Sequence, residues 1–183
     1  MELKKHLVLS NKDKRLRTSC NKLDVKNISS KEQELIDQMM KYIDICFQDK
    51  EEEYGIRPGI ALAGPQVGLM KQVIYIHFKE GETEHKYLLA NPEIVSHSMQ
   101  IVCLQKGEGC LSVNEEHLGL VPRYKRVIVE AYDLLNNKPV KIDNDTVLSV
   151  CLQHEIDHLN GVLYYDHINK KDPDFKKPEW IIY

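Results

Sequence analysis

No stretch of this 183-residue chain approaches the roughly 18 consecutive apolar residues of a membrane-spanning helix. Neither sign of charge dominates. Lys and Arg number 25 against 28 Asp and Glu, a net charge of −3, so the chain lacks the electrostatic footprint of a protein that binds nucleic acid or an anionic membrane. Cysteine is sparse and odd in number: Cys20, Cys46, Cys103, Cys110 and Cys151 are scattered and do not form the pattern of a disulfide framework. A reduced thiol set is expected, with one thiol open to chemical use. The opening Met1–His6 leads only into Leu7-Val8-Leu9. That patch is shorter than the apolar core of about 7–15 residues in a signal peptide, so a cytoplasmic protein is expected. Internal repeats, low-complexity tracts and Gly/Ser linkers are also missing. What remains is a globular composition, 42% hydrophobic and 29% charged, at a length that suits one domain over residues 1–183.

The pattern of apolar positions predicts an α+β fold. Residues 1–28 read as an arm packed onto the domain. Ser29 and Ser30 are good helix caps with Glu32 and Gln33 three residues on, and Leu35, Ile36, Met39, Met40, Ile43 and Phe47 follow as one stripe of an amphipathic helix. Asp49–Glu53 reads as a solvated turn and 55–68, rich in Gly and Pro, as a loop. Extended segments are expected at Val73–Phe78, Lys86–Ala90, Glu93–Leu104 and Val127–Leu134. Turns are expected at Asn91-Pro92 and over Asn136–Pro139. A second helix, capped by Asn144 or Asp145 and ending at Leu159 before Gly161, is apolar nearly all round and therefore buried. The architecture expected is antiparallel β-sheets around this central helix, with a β-prone tail at Trp180–Tyr183.

The buried helix carries Gln153-His154-Glu155-Ile156-Asp157-His158. Four residues advance a helix by about 400°, so His154 and His158 share a face and can bind one divalent metal. Glu155 sits beside them, placed to take a proton from a water the metal activates. Chance yields such a pattern on the order of 0.03 times in a chain with this many histidines. Burial adds weight, because unpaired polar side chains in a core cost several kcal/mol each (~2–7). A catalytic metal needs a third protein ligand, and only His167 follows, without an acidic motif around it. Upstream, Gly107-Glu108-Gly109-Cys110-Leu111-Ser112 sets a thiol among small residues that allow close approach. Cys110 alone would pass as an apolar filler; the unfilled coordination position makes it the third candidate. In the loop Gly59–Gly68 the polar side chain is Gln66, by itself a surface glutamine, whose amide could meet a developing oxyanion.

Taken in order, Gly59–Gln66, Glu108–Ser112 and Gln153–His158 resemble the three motifs of the peptide deformylase family, which removes the N-formyl group from newly made bacterial and organellar proteins. The likeness runs from about Leu35 to Asp166. The insertion between the first two motifs and the C-terminal tail resemble the class common in Gram-positive and mycoplasma-like bacteria. The resemblance departs at Ala61, where the family usually has Gly, and at Gly64, where it usually has Ala. It also departs after Ser112, where Val113–His117 lacks an Arg that some relatives place near the peptide. Because the family's backbone pairs with substrate at the Ala61 position, an added methyl there is expected to narrow the groove.

The resemblance implies a metal held by Cys110, His154 and His158, Fe(II) in physiological form, with zinc, nickel or cobalt able to replace it. It implies Glu155 as the proton carrier, with Gln66 and the backbone N–H of Leu111 at the oxyanion. A methionine pocket falls to Ile60, Val147, Val150 and Cys151, with His154 at its floor. Ala61, Gly109 and Leu111 offer backbone to the peptide, and Arg123 is expected to pair with Glu108 in support of the Cys110 loop. Partners would be N-formylmethionyl nascent peptides and the ribosome that issues them, without direct contact to nucleic acid or a membrane. A general HExxH metallopeptidase is the alternative enzyme, and a closed structural metal module the non-enzymatic one.

Overall fold

The computed structural model describes residues 2–4 and 6–183. Helix α1 (Ser30–Phe47) starts with a reciprocal cap: Glu32 N donates to Ser29 Oγ at 3.3 Å and Ser29 N to Glu32 Oε2 at 2.8 Å. A single helical turn, α2 (Glu51–Tyr54), replaces the expected solvated turn. Among the described residues the strands follow in the order β1 (Ala61–Ala63), β2 (Val73–Glu80), β3 (Thr83–His97), β4 (Ile101–Cys103), β5 (Arg123–Tyr124), β6 (Val127–Asp133), β7 (Lys138–Asn144) and, after helix α3 (Val147–Leu159), β8 (Ile181–Ile182). The larger sheet has the order β1-β2-β3-β6-β7 and is antiparallel throughout. The smaller has the order β5-β4-β8, and its β4–β8 pair is parallel. That pair corrects the expectation of antiparallel sheets alone: the chain returns to β4 by a long excursion through α3, not by a hairpin.

β2 explains the layering. Its side chains alternate across the sheet, and both faces are covered, so the strand is buried without a break from Val73 to Phe78 and apolar there except at His77. Ile74, Ile76 and Phe78 pack with Leu148, Leu152, Ile156 and Leu159 of α3. Val73 and Tyr75 pack on the opposite face with Ile36, Met39 and Ile43 of α1. Burying each of the Val, Leu, Ile, Met and Phe side chains among these contributes roughly 1.5–3 kcal/mol. α3 thereby lies against β1 and β2 on one side and β5 on the other. Gln153 fixes the β5 side through Nε2 to Tyr124 O and Tyr124 N to Oε1, both at 2.9 Å.

Local chemistry moved several boundaries. The expected loop at 55–68 contains β1 and a 3-10 turn at Gly64–Val67. Asn91-Pro92 does not end a strand. β3 runs through it with a bulge, Asn91 taking φ 53° while its side chain bonds Leu23 N and O at 2.8 and 3.0 Å. Bulges and Asn in the left-handed region go together, and this one pins the N-terminal arm. Lys138 and Pro139 belong to β7, an edge strand where a proline is tolerated. Thr146, not Asn144 or Asp145, caps α3; Asn144 Oδ1 accepts from Thr146 N one step earlier, at 2.9 Å. Among the described residues no helix is long and apolar enough to cross a membrane.

Candidate metal centre

α3 presents His154 and His158 one turn apart, with ring centroids 5.0 Å from each other. The irregular segment between β4 and β5 brings Cys110 to them: Sγ lies 3.3 Å from His158 Nε2, and the donor atoms of Cys110, His154 and His158 all fall within 4.8 Å of one another. One sulfur and two ring nitrogens form a donor set suited to a divalent transition metal. The remaining nitrogen of each histidine differs. His154 Nδ1 meets Glu108 Oε2 at 2.7 Å, which leaves Nε2 for an ion, the carboxylate–histidine arrangement that orients metal ligands. His158 Nδ1 and Glu155 Oε2 are buried without a protein partner. Buried polar atoms are almost always satisfied, so an orphaned carboxylate oxygen beside three converging donors fits a site built to hold an ion and a reacting group.

The Cys110 loop is held from several sides. Gln66 Nε2 donates to Ser112 Oγ at 3.1 Å and lies 3.6 Å from Cys110 Sγ, while its Oε1 accepts from Ala63 N at 2.8 Å. The N-terminal arm bonds both loops through its backbone, Leu9 N to Gln66 O and Asn11 N to Ser112 O, each 2.7 Å. Arg123, 4% exposed, donates to Glu108 through Nε at 2.8 Å and Nη2 at 2.9 Å, and through Nη1 to Asp157, whose Oδ2 also meets His167 Nε2 at 2.8 Å. A bidentate guanidinium–carboxylate pair is the strong geometry for such a contact.

Burial would raise the Glu108 carboxyl, but Arg123 and then His154 overcome it and hold it down to about 2. Glu155 has no such partner. Burial pushes its carboxyl up to about 7, against the pull of His154. Burial, reinforced by His154, keeps His158 well below the usual histidine range, so its ring is neutral.

A cleft of about 300 Å³ opens over these groups, lined among others by Ile60, Ala61, Gln66, Glu108, Gly109, Cys110, Leu111, Val147, Val150, Cys151, His154 and Glu155. All of the sequence candidates therefore line it except His158 and Arg123, which sit behind the wall. Leu111 covers Gly59: a Cβ on that glycine would lie 2.6 Å from Leu111 Cδ1. Sequence reasoning missed Arg57, Pro58 and Leu104 on the cleft wall and Asp157, His167 and Ser112 in support. Asp157 lies inside the histidine motif itself, a usable signal. Arg57 stands two residues ahead of the Gly59 loop.

The chain is similar to known proteins over most of its length. The family model described as polypeptide deformylase matches residues 5–174. A peptide deformylase of Ureaplasma parvum serovar 3 is 45% identical over 143 residues, covering 78% of this chain and 72% of the relative. Peptide deformylase 2 of Bacillus anthracis is 44% identical over 154 residues, 82% of each chain. The crystal structure of peptide deformylase from Ehrlichia chaffeensis in complex with actinonin matches with a TM-score of 0.73 at 28% identity, covering 94% of this chain and 92% of that one. With its Cys/His/His cluster beside a cleft that Cys110 and His154 line, this α+β chain belongs to the peptide deformylase family, metal-dependent hydrolases that remove the N-formyl group from formylmethionyl peptides.

Proposed function

We propose that residues 1–183 act as one catalytic domain centred on the buried HExxH helix, deformylating N-formylmethionyl nascent peptides in the cytoplasm as the ribosome releases them, without binding nucleic acid or a membrane itself. The observation that carries this reading is the convergence of Cys110, His154 and His158 within 4.8 Å beside the unpartnered carboxylate oxygen of Glu155. Fe(II) is the ion proposed, with zinc, nickel or cobalt as substitutes, since thiolate and imidazole suit each of them. When bound, the ion supplies the Lewis acidity that makes water a nucleophile near neutral pH.

Glu155 is read as the proton carrier. In the metal-free protein burial raises this carboxyl to about 7; a carboxylate held in such a dry site can take a proton from the attacking water and return it to the departing amine. Gln66 Nε2 and the Leu111 N–H are the oxyanion donors in this reading. The Gln66 amide is fixed by Ala63 N at its oxygen end, so it needs little reorganisation as charge develops. Ile60, Val147, Val150 and Cys151 form the apolar pocket for methionine, whose unbranched thioether fills irregular space. Gly109, Leu111 and Ala61 offer backbone to the peptide, with the Ala61 methyl narrowing the groove at the cost of affinity. Glu108 and Arg123 hold His154 and the Cys110 loop in register.

Protein loaded anaerobically with Fe(II) should release formate from formyl-Met-Ala-Ser and leave Met-Ala-Ser intact. Cleavage of the unformylated or of internal bonds would favour a general metallopeptidase, and metal binding without any hydrolysis a structural module. Metal analysis of protein purified without air tests the identity of the ion.

A further inference from the structure

Arg15, Arg17, Arg123 and Arg126 each pair with a carboxylate: Asp13, Asp166, Glu108 and Asp143. Arg57 is the exception. Among the described residues it has no acidic partner, and the residue, exposed, lines the cleft wall with Gly59 and Ile60. It is held at both ends. Its backbone is tied to α1, Arg57 N donating to Tyr42 Oη at 3.2 Å and Tyr42 Oη to Arg57 O at 3.0 Å. Its Nη1 donates to Leu111 O at 3.3 Å, Val113 O at 3.2 Å and Asn114 Oδ1 at 3.0 Å. Among the described residues Nε and Nη2 have no protein acceptor. Three neutral acceptors share one nitrogen and none of them cancels the charge, so a full positive charge with spare donors stands at the open side of the cleft.

The other charged groups lining the cleft do not offset it. Glu108 is already paired with Arg123, and Glu155 is buried at the floor. A peptide lying extended along Gly109–Leu111 advances about 3.3 Å per residue. Continued past Leu111, its positions two or three beyond the formylmethionine would come within reach of Arg57, which lines the same cleft and holds Leu111 O. We propose that Arg57 is a specificity-determining residue that recognises a carboxylate at those positions, either an acidic side chain or the free C-terminus of a short peptide. The inference rests on the deformylase reading. A planar guanidinium with two free donors suits a carboxylate better than an ammonium does.

The test compares kcat/KM within matched pairs: formyl-Met-Ala-Ser as free acid and as amide, and formyl-Met-Ala-Glu-amide against formyl-Met-Ala-Gln-amide. Each pair is run on the Fe(II) enzyme and on Arg57→Met and Arg57→Lys at two salt concentrations. The expected result is a preference for at least one carboxylate member by about 3- to 10-fold, carried in KM and eroded by salt. The preference should be lost in Arg57→Met and partly kept in Arg57→Lys. A preference in the first pair only assigns the C-terminus, and one in the second only the side chain. Loosening of Leu111 would slow both members of a pair alike, so the ratio isolates the charge. Turnover with no preference, or a preference that persists in Arg57→Met, overturns the inference alone. No turnover on any formylated peptide overturns the deformylase reading and the inference with it.

Discussion

Glu108 and Glu155 are both nearly inaccessible and both beside the histidines of α3, yet burial has opposite consequences for them. Glu108 belongs to a closed side, an alternating chain of His154, Glu108, Arg123, Asp157 and His167 in which every charge has a partner. Glu155 belongs to an open side, where Oε2 has none. The same desolvation that Arg123 overcomes in one case stands nearly alone in the other, so one carboxyl falls to about 2 and its neighbour rises to about 7. The closed side spends its interactions on geometry and keeps a fixed charge. The open side leaves a group poised to exchange protons, which is destabilising by itself and useful for that reason.

The sharpest way to break this contrast is Glu155→Gln. Turnover should fall by about 10²–10⁴-fold, the usual contribution of a general acid–base group, while metal content stays as it was. Stability should move the other way. A carboxyl whose folded pKa is raised to about 7 holds its proton longer in the folded state than the ordinary 4.5, so the native enzyme loses stability as pH rises between those values. At pH 8 the apo variant should therefore be the more stable, by up to about 3 kcal/mol. Urea titration of both proteins at pH 5 and pH 8 checks the sign; equal stability at pH 8 would mean Glu155 finds a partner after all.

Arg123→Ala attacks the closed side. It leaves the buried Glu108 charge with His154 alone for a partner and should cost about 3–5 kcal/mol, with a matching loss of metal retention as the Cys110 loop loses its support. Full metal content in a folded Arg123→Ala protein would show that Glu108 orients His154 unaided. Acid acts on the same pair without mutation. The Glu108 carboxyl is depressed to about 2 from 4.5, so its stabilisation is complete above about pH 5 and fades as pH falls through 4.5 towards 2. The loss approaches 3 kcal/mol or so, an upper value for one such group, and should be absent from Glu108→Gln.

The open side was largely legible in the sequence, because its chemistry depends on spacing. His154 and His158 four apart, and Glu155 next to the first, specify a shared helix face from the residues alone. Cys110 needed the argument of an unfilled ligand position. The closed side was legible only in part. The Arg123–Glu108 pair was expected from the resemblance, but Asp157 and His167 joined it through a fold that sets β5 against α3, and nothing in the local sequence encodes that meeting. The same holds for β8. The β-prone stretch Trp180–Tyr183 suggested a strand, and only the path of the chain made its middle, Ile181–Ile182, a parallel partner of β4. Asn91-Pro92 misled for the opposite reason. Turn-forming residues do mark a break in the ladder there, but the break is a bulge whose asparagine is employed in holding Leu23.

Gly64 marks how tightly the open side is nonetheless built. The resemblance to the family's first motif sets an Ala at this place, and a conservative reading of it would predict that Gly64→Ala is neutral or better, since the methyl restricts the unfolded chain. The structure points to the reverse. A Cβ at position 64 would lie 2.6 Å from Leu69 O and 2.7 Å from Lys71 O, both backbone atoms, and Leu69 N closes the turn by donating to Gly64 O at 2.9 Å. Neither carbonyl can yield by a side-chain rotation, so the 3-10 turn itself must shift. The turn carries Gln66, whose amide reaches Ser112 and the Cys110 sulfur. Gly64→Ala should therefore cost about 1–3 kcal/mol in stability, the range for overpacking, and lower kcat more than it raises KM, because a displaced Gln66 weakens contacts formed as the oxyanion develops. A melting temperature and kcat equal to those of the native protein would show that the turn tolerates the methyl.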